Sequence, residues 1–117
     1  MKTISISSFT NEAASKTKGE LLKSKLEVSL ISNEDINIDF SGITRFASPF
    51  FNNSFASLII QYGADILDLI HLRNISKTGR DTYETSIENA KFLRNKPEFT
   101  EEINKIIEHS PKKANTL

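Results

Sequence analysis

The sequence predicts an α/β fold, a single domain in which helices pack on a small, mostly parallel sheet and an extra helix follows at the C-terminus. Segments that alternate apolar and polar residues are each followed by a segment with helical periodicity. Such an alternation of strands and helices implies right-handed crossovers and hence parallel strands. A chain of 117 residues is long enough for one hydrophobic core and too short for two domains. We assign residues 1–110 to the domain and 111–117 to a flexible C-terminal tail.

The first third of the chain predicts a strand, a helix and a second strand. Ile4 and Ile6 alternate with serines, which indicates a strand over residues 2–9. Thr10 or Asn11 is then expected to cap a helix that ends near residues 32–33, which are turn formers. Residues 35–40 alternate again and predict the second strand.

The middle of the chain predicts one long helix. It is expected to begin at Ser48, whose hydroxyl can cap it, because Pro49 suits the first helical position. Gly63 is the expected stop. One side of this helix is apolar and predicted to be buried, and another forms a polar ridge. The apolar residues are Phe51, Phe55, Leu58, Ile59 and Tyr62, and the ridge is Asn53, Ser57 and Gln61.

The last third predicts a strand and two helices. Residues 66–72 are rich in leucine and isoleucine and indicate the third strand. Residues 78–81 have the pattern of a capping box, so a helix should begin there and direct Tyr83, Ile87 and Ala90 inward. Pro97 is expected to start the extra C-terminal helix.

Composition and motifs disfavour several classes of function. Fifteen basic and fifteen acidic residues cancel, whereas nucleic-acid binders usually carry a basic excess. Without cysteine, and with His71 and His109 far apart in sequence, no metal site is expected. The chain has neither a glycine-rich phosphate loop nor a nucleophile elbow, so we expect no cofactor and no enzymatic activity. No apolar run approaches the ~18 residues of a membrane span, so a cytoplasmic protein is expected.

The most informative part of the sequence is residues 39–51, where a strand, a turn and a helix start follow one another. The carboxyl ends of parallel strands share one edge, so the loops 8–11, 41–48 and 73–77 should lie together. Ligands and partners of parallel sheets tend to meet this edge. The candidate contact residues are Asp39, Ser41, Thr44, Ser48, Pro49, Phe50, Asn52 and Asn53.

Other interpretations of these residues stay open. In one alternative these residues make no partner contact. Ser48 then caps the helix, Asp39 bonds within the turn, and the two asparagines form a solvated ridge. Alternatively, Ser48 with Arg73 and Lys77 can form an anion cradle for a nucleotide, a phosphate or another small molecule. The neighbouring Phe50 and Phe51 leave a homodimer open, since one of them can face outward.

Three stretches of the sequence resemble the STAS-like domains of bacteria, whose relatives include the anti-sigma-factor antagonists. Residues 38–43, Ile-Asp-Phe-Ser-Gly-Ile, are similar to the family's "DFSGV" element. Residues 46–50, Phe-Ala-Ser-Pro-Phe, resemble its "SSSF" stretch at the next helix start. Ala-Ser-Lys at 14–16 and Gly-Glu-Leu at 19–21 occur where the family has its first helix. The resemblance covers residues 2–94.

The resemblance also bears on regulation. In the antagonists the helix start resembles "DSSG", and a partner kinase phosphorylates its second serine. Aligned without gaps, Ala47 takes the Asp position, Ser48 the first Ser and Pro49 the second, while Phe50 replaces the glycine. A proline cannot be phosphorylated, which leaves Ser48 or Thr44 as the candidate sites.

The resemblance implies a function as well as a fold. It implies a non-enzymatic interaction and regulatory module that docks onto a protein partner. By the same resemblance, that partner is a histidine-kinase-type ATPase, as in bacterial partner-switching.

Overall fold

A computed structural model describes residues 2–95 of the chain. The predicted C-terminal helix from Pro97, His109 and the tail at 111–117 lie outside the described residues. Within 2–95, three parallel strands in the order β1-β2-β3 are combined with four α-helices, which confirms the predicted α/β fold. The elements are β1 Lys2–Ser5, α1 Lys16–Ile31, β2 Ile36–Asp39, α2 Ser48–Asn52, α3 Phe55–Tyr62, β3 Ile70–Arg73 and α4 Lys77–Arg94.

The strand register separates an apolar face of the sheet from a polar one. Ile4 lies opposite Ile38, and both are buried. The next row along the strands is Thr3, Asn37 and His71, which are exposed or half-buried. Right-handed crossovers in this strand order put the connecting helices on one side of the sheet, where they contact one another. The helices therefore cover the apolar face, and the polar row belongs to the opposite face.

The core is built around Phe51. Its ring centroid lies 5.4–6.3 Å from the centroids of Phe40, Phe46, Phe50, Phe55 and Tyr83. Both Phe50 and Phe51 are 0 % exposed. The open alternative in which one of this pair faces outward is therefore contradicted, and the argument that it gave for a homodimer is lost.

The first helix begins later than its sequence predicts. β1 ends at Ser5 and a 3-10 turn follows at Ile6–Ser8, so the strand is shorter than the predicted 2–9. Ser15, not Thr10 or Asn11, caps α1, because its hydroxyl accepts a hydrogen bond of 3.1 Å from the Lys18 N–H. The predicted end near 32–33 is confirmed.

The predicted long helix is two helices. α2 ends at Asn52 and α3 begins at Phe55, with a turn between them. At this turn the Asn53 amide donates to the Pro49 carbonyl and the Ser54 hydroxyl donates to the Phe50 carbonyl, both at 2.7 Å. The Ser54 hydroxyl takes the Phe50 carbonyl that the Ser54 N–H would use in a continuous helix, and this N–H donates to the Phe51 carbonyl at 3.3 Å instead. This competition is a physical reason for the break. Gly63, with φ of 98°, ends α3 as predicted.

The third strand and the last described helix also differ from prediction at their starts. The predicted strand 66–72 divides into a 3-10 turn, Ala64–Leu69, and the strand Ile70–Arg73. Ser76 caps α4 by accepting from the Gly79 N–H at 3.2 Å, so the predicted capping box at 78–81 is wrong. Ile87 and Ala90 are buried as predicted, and burial raises the pKa of the half-buried Tyr83.

Candidate functional site

Three loops at the carboxyl ends of the strands are joined by backbone hydrogen bonds. The Ala13 N–H donates to the Arg45 carbonyl at 2.9 Å, and the Ala47 N–H donates to the Ala13 carbonyl at 3.0 Å. The Phe40 N–H donates to the Arg73 carbonyl at 2.9 Å. The loop after β2 therefore contacts both the loop after β1 and the end of β3, so the loops share one edge as predicted.

Asp39 ties two of these loops together. Its Oδ1 atom accepts hydrogen bonds from the Ser41 N–H at 2.9 Å, the Ser41 hydroxyl at 2.7 Å and the Asn74 amide at 3.0 Å. The bond from Asn74 first, and then those from Ser41, lower the pKa of Asp39 below its ordinary value. Asn74 itself has a left-handed backbone with φ of 55°. The Asp39 carboxylate thus acts within the domain as a turn-bonding group, which was the alternative to partner contact.

Residues 41–47, which we call the docking loop, present an exposed tip above a buried anchor. Gly42 makes the turn with φ of 82°. Ile43 is buried, and its N–H donates to the Phe40 carbonyl at 3.0 Å. Thr44 and Arg45 are exposed.

A second anchor holds the other end of the docking loop. Phe46 is half-buried, with its ring 6.1 Å from that of Phe40 and 6.3 Å from that of Phe51. Gly79 in α4 lies directly against it, since a Cβ built there would be 2.6 Å from the Phe46 ring. The exposed tip of the loop is therefore held between two packed side chains.

Ser48 is not the cap of α2. Ala47 occupies the cap position with an extended backbone, and no side chain caps this helix. Ser48 is the first residue of α2, and Pro49 is the second rather than the first. Both are half-buried, so part of each reaches the surface beside the docking loop.

The other predicted contacts in and directly after α2 are buried or half-buried. Phe50 is fully buried and Asn53 is 1 % exposed, so neither is a surface contact and their prediction is wrong in this respect. Asn52 is half-buried, and its Oδ1 accepts a hydrogen bond of 2.7 Å from the Ser86 hydroxyl of α4. Of the predicted contact residues, the surface beside the docking loop retains Ser41, Thr44, Ser48 and Pro49.

The three residues of the predicted anion cradle make no described contact with one another. The Lys77 ammonium instead donates to the Asp81 carboxylate at 2.9 Å. This hydrogen bond, together with the negative charge of Asp81, raises the pKa of Lys77. Arg73 is exposed, and Ser48 starts a helix of only five residues. Anion binding at this place stays a prediction that the described contacts do not strengthen.

A cavity of about 610 Å³ was missed from the sequence. It lies at the carboxyl end of β1, and its rim reaches the docking loop, because Glu12 pairs with Arg45 at 3.7 Å. The density of serine, threonine and asparagine in residues 7–11 is its signal in the sequence, although the same residues also predict a helix start. The lining is Ser7, Ser8, Phe9, Thr10, Asn11, Glu12, Ala14, Ser15 and Lys18.

No metal cluster and no membrane span are found in the part of the chain that the structure describes. Among residues 2–95, no group of three or more His, Cys, Asp or Glu residues is close enough to hold a metal ion. His71 Nε2 lies 3.2 Å from an Asp35 carboxylate oxygen, as an isolated pair. None of the described helices has the length and apolar character that crossing a membrane requires.

Comparison with known proteins identifies the family. Residues 18–80, more than half of the chain, match the family model described as a STAS-like domain of unknown function (DUF4325). The match runs from the first turn of α1 to the first turn of α4 and includes the docking loop. No curated protein and no solved structure matches the chain. The chain therefore belongs to the family of STAS-like domains of unknown function.

Proposed function

We propose that this chain is a non-enzymatic regulatory module that binds a protein partner through the docking loop. The observation that carries the proposal is an exposed tip, Thr44 and Arg45, on a loop that is anchored at both ends. Ser41, Ser48 and Pro49 extend the same surface. The partner class suggested by the family resemblance is a histidine-kinase-type ATPase of bacterial signalling.

The anchored loop favours binding because little of it has to be ordered by the partner. Ordering side chains and loops at an interface costs roughly 0.5–1.5 kcal/mol for each immobilised side chain. Here the buried Ile43 and the packed Phe46 hold the backbone on either side of the tip. Asp39 fixes the start of the loop through Ser41. Contacts made by the tip therefore contribute more of their energy to affinity than they would in a loop that the partner has to order.

The composition of the surface favours a transient complex. Its exposed groups are hydroxyls, one arginine and one glutamate, and the Arg45–Glu12 pair is open to solvent. Permanent interfaces are more apolar than this, whereas transient ones resemble the rest of the protein surface. A regulator that must release its partner needs such a surface.

Thr44 is the better of the two candidate phosphorylation sites. Its side chain is exposed, whereas Ser48 is half-buried at the start of α2. A phosphate adds about −1.5 to −2 charges at neutral pH. On Thr44 that charge would stand next to Arg45 and change the sign of the exposed tip. We propose this as the means of regulation.

Affinity capture with matched bait variants tests the proposal. Thr44→Arg places a large charged side chain on the tip, and Thr85→Arg makes the same change at an exposed position of α4. We expect an ATPase-domain protein to be captured by the wild-type chain and by Thr85→Arg, and recovery with Thr44→Arg to fall about tenfold, equivalent to ~1.4 kcal/mol.

Two further readouts complete the test. The intact mass of the recovered bait shows whether it carries a phosphate, and peptide mapping shows whether Thr44 holds it. Equal capture by all three baits would contradict the proposed surface. Capture of no ATPase-domain protein by any bait would contradict the proposed partner class.

A further inference from the structure

β1 is an edge strand, and the register shows which of its residues bond to β2. Within the described residues Lys2–Ser5 pairs only with β2. The Phe40 N–H donates to the Arg73 carbonyl of β3, and alternate residues of a strand bond to the same side. Ile38, two residues before Phe40, therefore bonds towards β3.

The same alternation directs the backbone of Thr3 outward. Asn37 bonds towards β1 and lies opposite Thr3, and in a parallel ladder the residue opposite a bonded one points away. Ser5 points outward like Thr3, and its carbonyl already accepts the Ser8 hydroxyl at 2.6 Å. The N–H and carbonyl of Thr3 and the N–H of Ser5 thus form an edge that can pair with a further strand.

A groove of about 330 Å³ runs beside this edge, between β1 and α1. Ile4 and Val28 give it an apolar part, and Val28 is 61 % exposed. Leu21, two helical turns before Val28, is also 40 % exposed. An added strand would bury apolar side chains here as well as completing backbone hydrogen bonds.

The groove is positively charged. Lys2 and Lys25 line it, and no carboxylate does. The Lys25 ammonium lies 5.5 Å from the centroid of the Phe9 ring, which positions it. The Glu27 carboxylate of the same helix accepts a hydrogen bond of 2.9 Å from the Tyr62 hydroxyl and does not line the groove. A second copy of β1 would bring the same lysines and be repelled, whereas an acidic segment would be attracted.

We propose that the β1 edge and its groove bind an extended acidic segment of a partner protein by strand addition. Backbone hydrogen bonds to Thr3 and Ser5 would supply affinity. Specificity would come from an apolar side chain against Val28 and carboxylates against Lys2 and Lys25. This surface is separate from the docking loop.

Titration of the isotope-labelled full chain with short peptides, followed by nuclear magnetic resonance, tests the inference. The probe is Thr-Glu-Thr-Val-Thr-Glu-Thr, in which alternate residues place Glu, Val and Glu on one face of a strand. Its charge-reversed control is Thr-Lys-Thr-Val-Thr-Lys-Thr. We expect the acidic probe to shift the Val28 amide and to slow solvent exchange at the Thr3 and Ser5 amides, and the control to do neither.

Three variants separate the contributions. Thr3→Pro removes the outward N–H, which an edge strand tolerates, and should abolish binding. Lys25→Glu, which leaves the strand unaltered, should weaken binding severalfold. Lys23→Glu makes the same change on α1 outside the groove and should bind like the wild type.

Several outcomes would overturn the inference. They are equal binding of both peptides, unchanged binding by Lys25→Glu, protection of the β3 edge instead of β1, and pairing of two copies through β1. The Thr44→Arg variant should bind the peptide normally, so that failure here is distinguishable from failure of the proposed docking loop.

Discussion

Replacement of Gly19 by alanine should destabilise the domain, although alanine is the better helix former. Gly19 is the fourth residue of α1, where α1 contacts α2. A Cβ at this position would be 2.5 Å from the carbonyl oxygen of Phe50 and 3.1 Å from its carbonyl carbon and Cα. These are backbone atoms, so no side-chain rotation relieves the clash and the helices must move apart.

The expected change in the free energy of unfolding for Gly19→Ala follows from two opposing effects. Helix propensity favours alanine over glycine by about 1 kcal/mol. Overpacking a well-filled interface costs about 1–3 kcal/mol. The expected net loss is about 1 kcal/mol, and for a domain of this size that corresponds to a fall in Tm of roughly 4–5 °C.

Thermal and urea denaturation, followed by circular dichroism, measure this loss. Ser24→Ala is the matched control, because Ser24 is an exposed position of the same helix and alanine there gains propensity without a clash. We expect Ser24→Ala to raise Tm slightly and Gly19→Ala to lower it. A rise in Tm for Gly19→Ala would refute the inference that the close approach of the Phe50 backbone requires glycine at this position.

Three further predictions concern the site and its support. Gly79→Ala should displace Phe46, whose ring lies 2.6 Å from the new Cβ, and hydrogen exchange should become faster in residues 41–47. Ser86→Ala should lower the free energy of unfolding by roughly 0.5–1.5 kcal/mol in urea denaturation, because it removes the 2.7 Å hydrogen bond to the half-buried side-chain oxygen of Asn52. The pKa of Asp39 is lowered in the folded state, so its stabilising contribution is present above its unfolded pKa of about 4 and is lost as the pH falls below that value. The difference in Tm between the wild type and Asp39→Asn should therefore shrink on acidification.

Two of these predictions have a matched control, and each has a result that would contradict it. For Ser86→Ala, a second substitution, Asn52→Ala, should cost less in the variant than in the wild type, and additive losses would contradict a direct bond. For Asp39→Asn, the matched change is Asp68→Asn, at an exposed carboxyl without a described hydrogen bond. A Tm difference for Asp39→Asn that is independent of pH would contradict the pKa argument. An unchanged rate of hydrogen exchange in residues 41–47 of Gly79→Ala would show that Phe46 does not hold the docking loop.

The parts of the fold that sequence predicts well are governed by local chemistry. Strict alternation of apolar and polar residues predicts β2. The structure agrees, because Ile36 and Ile38 are buried whereas Asn37 and Asp39 are half-buried. Gly42 and Gly63 were expected at a turn and at a helix end, and both have the positive φ that glycine adopts readily. The position of the candidate surface at the carboxyl edge followed from the parallel topology alone.

The helix starts were less predictable because several capping residues stand near each one. Thr10, Asn11 and Ser15 are all good helix caps, and the structure uses Ser15 for α1. Ala47 takes the cap position of α2 because its extended backbone is bonded to Ala13, a contact between distant parts of the chain. Local propensity contains no information about such a bond.

A helical wheel drawn for one continuous helix does not predict that Phe50 and Asn53 are buried. The break between α2 and α3 changes the direction of the chain, and side-chain hydrogen bonds at the break stabilise it. The bond from Ser86 of α4 to Asn52 adds a contact across 34 residues. The role of Asp39 depends likewise on Asn74, 35 residues away.

The order of the strands has a consequence for synthesis of the protein. Strand order in the sheet equals order along the chain, and each strand pairs with the one made just before it. β1, α1 and β2 thus form a parallel unit in which both strands are paired without β3. None of the three described strands has to remain unpaired until a later one is inserted between it and its neighbour. The sheet can therefore grow at one edge as the chain leaves the ribosome, in the N-terminal-first manner in which nascent domains fold.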